Sequence, residues 1–184
     1  DVVLGMRRLA IIDLSGAQQP ITSACGNIVV VCNGEIYNFK ELRERMQAKG
    51  HVFSTDGDVE AIVYLYLEYG DDFVQHLDGL FAIALWDKRR ERMLLVRDHM
   101  GIKPVYYAAW QNGVAFASEA KALFELDGLA ASVSSRGLKD YLSLGYCVAP
   151  HTIFDGVKKL PPASMLVFEQ GEYRVRRYWD LPNE

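Results

Sequence analysis

Three short segments combine charged side chains with apolar flanks and residues of unusual backbone freedom. In Arg7-Arg8-Leu9-Ala10-Ile11-Ile12-Asp13 an arginine stands inside an otherwise core-like run. A guanidinium there needs an anion, and a carboxylate held bidentately satisfies it. An internal ion pair with Asp13 or Glu35 answers the same need, so this segment alone leaves both readings open. In Cys32-Asn33-Gly34-Glu35-Ile36-Tyr37-Asn38 a side-chain amide and a glycine N–H lie side by side. Two donors converging on one point suit a developing oxyanion, although Asn-Gly by itself is more often a plain turn. The third segment, Ser54-Thr55-Asp56-Gly57-Asp58-Val59-Glu60, reads first as a helix N-terminus, where the dipole and free N–H groups favour acids. Its three carboxylates exceed what one cap uses, which leaves one to hold an ammonium group. An arginine for a carboxylate, an acid for an ammonium and a candidate oxyanion site together describe a pocket for a free amino acid.

Other chemistries find less support. His51, His76, His99 and His151 sit in dissimilar polar contexts, with no Ser-His-Asp arrangement and no metal-binding spacing. Asp98-His99-Met100-Gly101-Ile102-Lys103-Pro104 comes nearest to a phosphate-cradling loop and lacks its glycine spacing. The chain has 184 residues, 50% hydrophobic and 24% charged, with a net charge of -4, the balance of one globular domain and not of a nucleic-acid binder. The densest basic stretch, Lys88-Arg89-Arg90-Glu91-Arg92, reads as a solvated turn between strands. Cys25, Cys32 and Cys147 are an odd number without metal or redox spacing, which suits a reducing, cytoplasmic setting. No apolar run approaches the ~20 residues of a membrane span, and no signal pattern opens the chain.

Elements able to position these groups follow from periodicity. Leu4 to Leu14 reads as extended, ending at Ser15-Gly16, and Ile28 to Cys32 as a buried strand running into a turn at Asn33-Gly34. Asn38 is placed to cap a helix with Phe39, Leu42 and Arg45/Met46 at helical spacing and Gly50 as its stop. A second helix starts near Asp58, with Ile62, Leu65, Tyr66 and Tyr69 on its apolar face. Hairpins are expected for Leu80 to Trp86 with Met93 to Val96, for Val105 to Tyr107 with Val114 to Phe116 around Asn112-Gly113, and for Met165 to Phe168 with Tyr173 to Arg177. Between them, a short helix is expected from Ser118 to Leu123 and another from Ser134 or Ser135 toward Tyr146, ended by Pro150. Hairpins with inserted helices argue α+β with antiparallel sheets and disfavour a doubly wound parallel fold.

The three opening segments, in this order, resemble the motifs of class II glutamine amidotransferases: Arg8 to Leu14, Asn33 to Asn38 and Thr55 to Glu60. Asp78-Gly79-Leu80-Phe81-Ala82, Arg97-Asp98 with Gly101-Ile102-Lys103-Pro104, Phe116-Ala117-Ser118-Glu119, Lys159-Leu160-Pro161-Pro162 and Tyr178-Trp179-Asp180 resemble the asparagine-synthetase branch, so the likeness spans essentially residues 1–184. It implies the fold of N-terminal-nucleophile hydrolases, a four-layer αββα sandwich with two antiparallel sheets. It further implies that Arg8 pairs with the glutamine α-carboxylate and that the backbone of Leu9, Ala10, Ile11 and Ile12 lines the pocket. Asp58 would take the α-amino group, Asn33 and Gly34 would form the oxyanion hole, and Glu35 would help to hold substrate. The implied reaction is attack of a thiolate on the glutamine side-chain amide, release of ammonia and hydrolysis of a γ-glutamyl thioester. Neither metal nor cofactor is implied for this domain. ATP and Mg2+ belong to a synthetase domain that activates aspartate and receives the ammonia.

In that family the thiol is the first residue of the mature protein, and its own α-amino group, titrating near ~8, serves as base. The sequence opens on Asp1-Val2-Val3-Leu4 without Met and ends at Glu184, so the resemblance reads it as truncated before its nucleophilic cysteine, with the following synthetase domain outside it and no glutaminase activity alone. Cys25 and Cys32 are not candidates for the nucleophile, because neither carries an α-amino group and Cys32 lies in an expected buried strand. Partners are glutamine and the synthetase domain of the same protein, without nucleic acid or membrane, and homodimerisation is left open. A non-catalytic scaffold and a glutaminase serving another acceptor are the alternatives.

Overall fold

The computed structural model describes residues 2–7 and 16–181. Its main sheet has six antiparallel strands in the order β1-β2-β3-β4-β8-β9: β1 is Ile21–Thr22, β2 Ile28–Ile36, β3 Gly79–Asp87, β4 Arg92–Arg97, β8 Ser164–Glu169 and β9 Glu172–Arg177. A second antiparallel sheet has the order β6-β5-β7, with β5 at Tyr106–Trp110, β6 at Gly113–Ala117 and β7 at Val157–Lys159. Among the described residues, three helices, α1 (Phe39–Ala48), α2 (Glu60–Tyr69) and α3 (Ser135–Leu144), and two 3-10 turns, Gly70–His76 and Ala120–Glu125, accompany the sheets. This is the expected α+β architecture with two antiparallel sheets. Among the described residues no helix is long and apolar enough to cross a membrane.

Side-chain alternation sorts the central strands into two cores. Cys32, Ile83, Leu85, Leu94, Val96, Met165 and Val167 face the layer of α1, α2 and the Gly70–His76 turn, where Leu42, Met46, Ile62, Leu65 and Phe73 cover them. The intervening Val31, Ala84, Met93, Leu95 and Leu166 face the second sheet and meet Val105, Tyr107 and Leu160. Strands covered on both faces have no polar face to alternate, so they read as continuous apolar runs. Behind the second sheet Ala108, Ala115 and Val157 pack with Leu123, Phe124 and Phe154, forming the fourth layer.

The local departures from expectation have tertiary causes. Asn33-Gly34 does not end β2, which stays paired with β3 as far as Ile36↔Gly79. Two glycines allow it: a Cβ on Gly34 would lie 1.9 Å from the Leu80 carbonyl oxygen and one on Gly79 2.2 Å from that of Glu35. Asn38 stands at the N-cap of α1 as expected, but its side chain makes no cap bond to the helix. Its amide instead donates to the His76 carbonyl and its oxygen accepts from the Asp78 N–H, tying the start of α1 to the approach to β3. Ser118 starts no helix, since the 3-10 turn begins at Ala120. The second hairpin turns on Gln111 and Asn112, with Gly113 already paired in β6. Ser134 caps α3 as expected, accepting from Gly137 N, but left-handed Gly145 ends it before Pro150 is reached.

Candidate active site

β2 carries the residues on which the site is built. Asn33 points to the inter-sheet side and lines a cavity of about 460 Å³. Ala82, Ile83, Ala84 and Leu95 of the main sheet form one wall, Pro104, Val105 and Phe116 to Glu119 another, and Gly5, Met6 and Arg7 a third. Across the cavity the Asn33 amide nitrogen is 3.5 Å from Ser118 Oγ, a contact that joins the two sheets at the site.

Asp58 reaches the far end of the same strand. It is buried, and its Oδ2 accepts from the Ile36 backbone N–H at 2.9 Å. The three acids of the segment thereby acquire separate tasks. Asp56 is exposed, 3.5 Å from Arg43. Glu60 is buried and accepts from the N–H and hydroxyl of both Ser54 and Thr55 at 2.8 to 2.9 Å. Burial opposes ionisation of Glu60, but those bonds more than offset it and hold its pKa below the ordinary value. Glu60 therefore holds the 54–55 backbone and makes no cap bond to α2, and Asp58 is the acid joined to β2.

The structure thus brings Asn33, Gly34, Glu35 and Asp58 to one strand end, with Asn33 on the cavity wall. Gly34, half-buried Glu35 and Asp58 do not border that cavity. Arg8, Leu9, Ala10, Ile11 and Ile12 lie outside the described residues. Among the described residues no group of three or more His, Cys, Asp or Glu is placed to hold a metal.

The cysteines differ sharply. Cys32 is buried among the helix-facing core, and burial first, then the negative charge of Asp58, raises its thiol pKa far above the usual value. Cys25 is exposed in a turn, where hydrogen bonding by Ser23 and Asn27 lowers its pKa.

One wall of the cavity is supported by a side-chain knot that the sequence did not reveal. Arg97 is buried and donates to the carbonyls of Lys103 (2.8 Å), Leu160 (2.6 Å) and Gly101. Asp98, fully buried, accepts from the N–H groups of Ile102 and Lys103, both at 2.9 Å. The Ala163 N–H donates to the Asp98 carbonyl, the Tyr178 hydroxyl donates to the Arg97 carbonyl at 2.7 Å, and His99 meets Tyr178 and Trp179 edge-on. The Arg97-Asp98, Leu160-Pro161-Pro162 and Tyr178-Trp179 motifs are therefore parts of one structural unit that fixes Pro104 and Val105. Their only signal in sequence is charge placed among glycine and proline.

A family model described as glutamine amidotransferase domain matches residues 1–179. Asparagine synthetase [glutamine-hydrolyzing] 3 of Bacillus subtilis is 36% identical over 186 residues, covering 100% of this chain and 30% of the relative. A putative asparagine synthetase [glutamine-hydrolyzing] of Mycobacterium tuberculosis is 42% identical over 167 residues, 86% of this chain and 26% of the relative. The chain thus spans less than a third of the length of these relatives. Among solved structures, glutamine phosphoribosylpyrophosphate amidotransferase from B. subtilis superposes with a TM-score of 0.62 at 18% identity, over 88% of this chain and 32% of that one, a likeness of fold.

Proposed function

The chain belongs to the glutamine amidotransferase domain family, and from that premise we propose that its pocket binds glutamine and serves hydrolysis to glutamate and ammonia within an asparagine-synthetase-type protein. The observation that carries this reading is the attachment of Asp58 to Ile36 N, on the strand that also holds Asn33 at the cavity wall. In it Asp58 takes the α-ammonium group and Arg8 the α-carboxylate, with the Leu9 to Ile12 backbone and Glu35 completing the pocket. The Asn33 amide and the Gly34 N–H face the side-chain carbonyl oxygen of glutamine as it gains charge. A thiolate attacks that carbonyl carbon, the nitrogen leaves protonated as ammonia, and water cleaves the thioester to glutamate and free thiol. Cys32 does not fit the nucleophile, being enclosed in the core with a raised pKa.

The ammonia would feed ATP-dependent amidation of aspartate, with ATP and Mg2+ bound by polypeptide outside these residues, in a cytoplasmic setting. A second reading, a glutaminase serving another acceptor, draws on a relative from Gibberella zeae that is named amidase chry2 and is 37% identical over 182 residues. The test is Arg8→Ala in the complete enzyme. Losing a charge-assisted carboxylate pair should lower glutamine-dependent synthesis by ~10- to 100-fold, while synthesis from added ammonia changes by less than about twofold. Equal loss of both activities would make Arg8 a structural residue and sink the reading.

A further inference from the structure

The turn that ends in Asp58 has no sheet ladder to hold it. Residues 54–58 are irregular, and two side chains outside the proposed chemistry, one from each of two helices, grip it. From α1, the Arg43 guanidinium donates to the carbonyls of Thr55 at 2.6 Å and Gly57 at 3.2 Å, while its flat face lies 4.5 Å from the centre of the Phe53 ring. From the first turn of α2, Glu60 takes the four N–H and O–H donors of Ser54 and Thr55. At Gly57, whose carbonyl Arg43 holds, a Cβ would come 2.4 Å from Ala17 Cβ, so the turn packs there directly against Ala17. α1 begins three residues after β2, so the strand bearing Asn33 and the arginine holding the Asp58 turn belong to one continuous piece of chain.

We propose that Arg43 and Glu60 are positioning residues for glutamine: together they fix the 54–57 turn so that the Asp58 carboxylate stands at the end of β2, where it meets the substrate ammonium. This rests on the reading of Asp58 given above. The role of Arg43 is geometric more than electrostatic. Its short contacts go to two carbonyls, and its carboxylate neighbour, Asp56, is 98% exposed and 3.5 Å away, a pairing that contributes little in water. One guanidinium nitrogen, Nη2, donates to both carbonyls while the planar group stays over Phe53, an arrangement that an ammonium on a flexible stem does not hold.

The experiment compares Arg43→Lys, Arg43→Met and Asp58→Asn with the parent chain, reading L-glutamine affinity by titration calorimetry and exchange of the Ile36 amide by NMR. That amide reports the clamp directly, because its partner is Asp58. Both Arg43 variants should bind glutamine about tenfold more weakly and exchange Ile36 faster, with the melting temperature lowered by less than about 4 °C. Arg43→Lys should not rescue the loss despite keeping the charge. Unchanged affinity and unchanged Ile36 exchange in both Arg43 variants would overturn the proposal, as would full rescue by lysine. If glutamine does not bind, or Asp58→Asn binds it as the parent does, the site reading fails. Ile36 exchange in the Arg43 variants then still decides whether the clamp exists.

Discussion

Two turns of this molecule, residues 98–104 and 54–57, are held by the same pair of devices, an arginine on carbonyls and a carboxylate on amides, in opposite surroundings. In the first, Arg97 and Asp98 are adjacent and both buried, and burial presses the guanidinium toward a lower pKa with Asp98 acting the other way. In the second, Arg43 and Glu60 come from separate helices; Glu60 is buried, but Arg43 stays partly in contact with solvent, its side chain 18% exposed. The first ties loop to core: Leu160, Ala163 and Tyr178 all bond to Arg97 or Asp98. The second ties loop to site. The difference teaches that the same hydrogen bonds contribute more to stability where the guanidinium is sealed in and more to placement where it still touches solvent, since water can there replace a lost donor more readily.

Removing the buried arginine is the largest test of this contrast. Arg97→Met leaves the carbonyls of Gly101, Lys103 and Leu160 without their donor, and denaturant unfolding should report a loss of about 3 to 5 kcal/mol. A loss no larger than that of Arg43→Met would erase the distinction between the two turns.

Glu60→Gln probes the half of the second turn that is buried. An amide offers one acceptor oxygen where the carboxylate serves five donors, the Tyr64 hydroxyl included, so the cost should be about 2 kcal/mol near neutral pH. Because the folded pKa of Glu60 lies below its ordinary 4.5, its contribution is complete above the unfolded value and is lost as pH falls through the folded value. The gap between parent and variant should therefore narrow below about pH 4.5, whereas the Arg97→Met deficit should stay level between about pH 6 and 9, where arginine does not titrate. Parallel stability profiles for parent and Glu60→Gln would mean that the carboxylate is not held ionised by the turn.

Much of this frame is legible in the residues alone, and the illegible part is consistently non-local. The apolar run from Ile28 announces β2, but its end is misread, because Asn33-Gly34 has the composition of a turn while Gly79, far along the chain, makes continued pairing possible. Ser134 signals its helix correctly because its capping partner is three residues away, at Gly137. Asn38 also marks its helix, standing at the N-cap of α1, but its side-chain partners are the distant His76 and Asp78, which no local pattern announces. The basic stretch at 88–92 is a turn as read, but Arg92 belongs to β4 and is buried, bonded to Asp71 through two nitrogens at 2.7 Å. For the site, the surplus of acids in the 54–60 segment is visible in sequence, and the assignment of Asp58 to β2 and Glu60 to the turn needs the tertiary bonds of each.

Asp56→Asn is the smallest expected effect and the most exacting control. If the 54–57 turn were held by charge attraction, neutralising the carboxylate next to Arg43 should loosen it nearly as much as removing the arginine. Asp56 is almost fully solvated, however, and a pair at 3.5 Å in that setting is screened by water and salt. The Thr55 and Gly57 carbonyls remain available to the guanidinium whatever stands at position 56. Glutamine affinity, Ile36 exchange and melting temperature should thus all match the parent within error, at both low and high salt. A tenfold loss of affinity on Asp56→Asn would instead make the clamp an ion pair, and lysine would then be expected to replace Arg43.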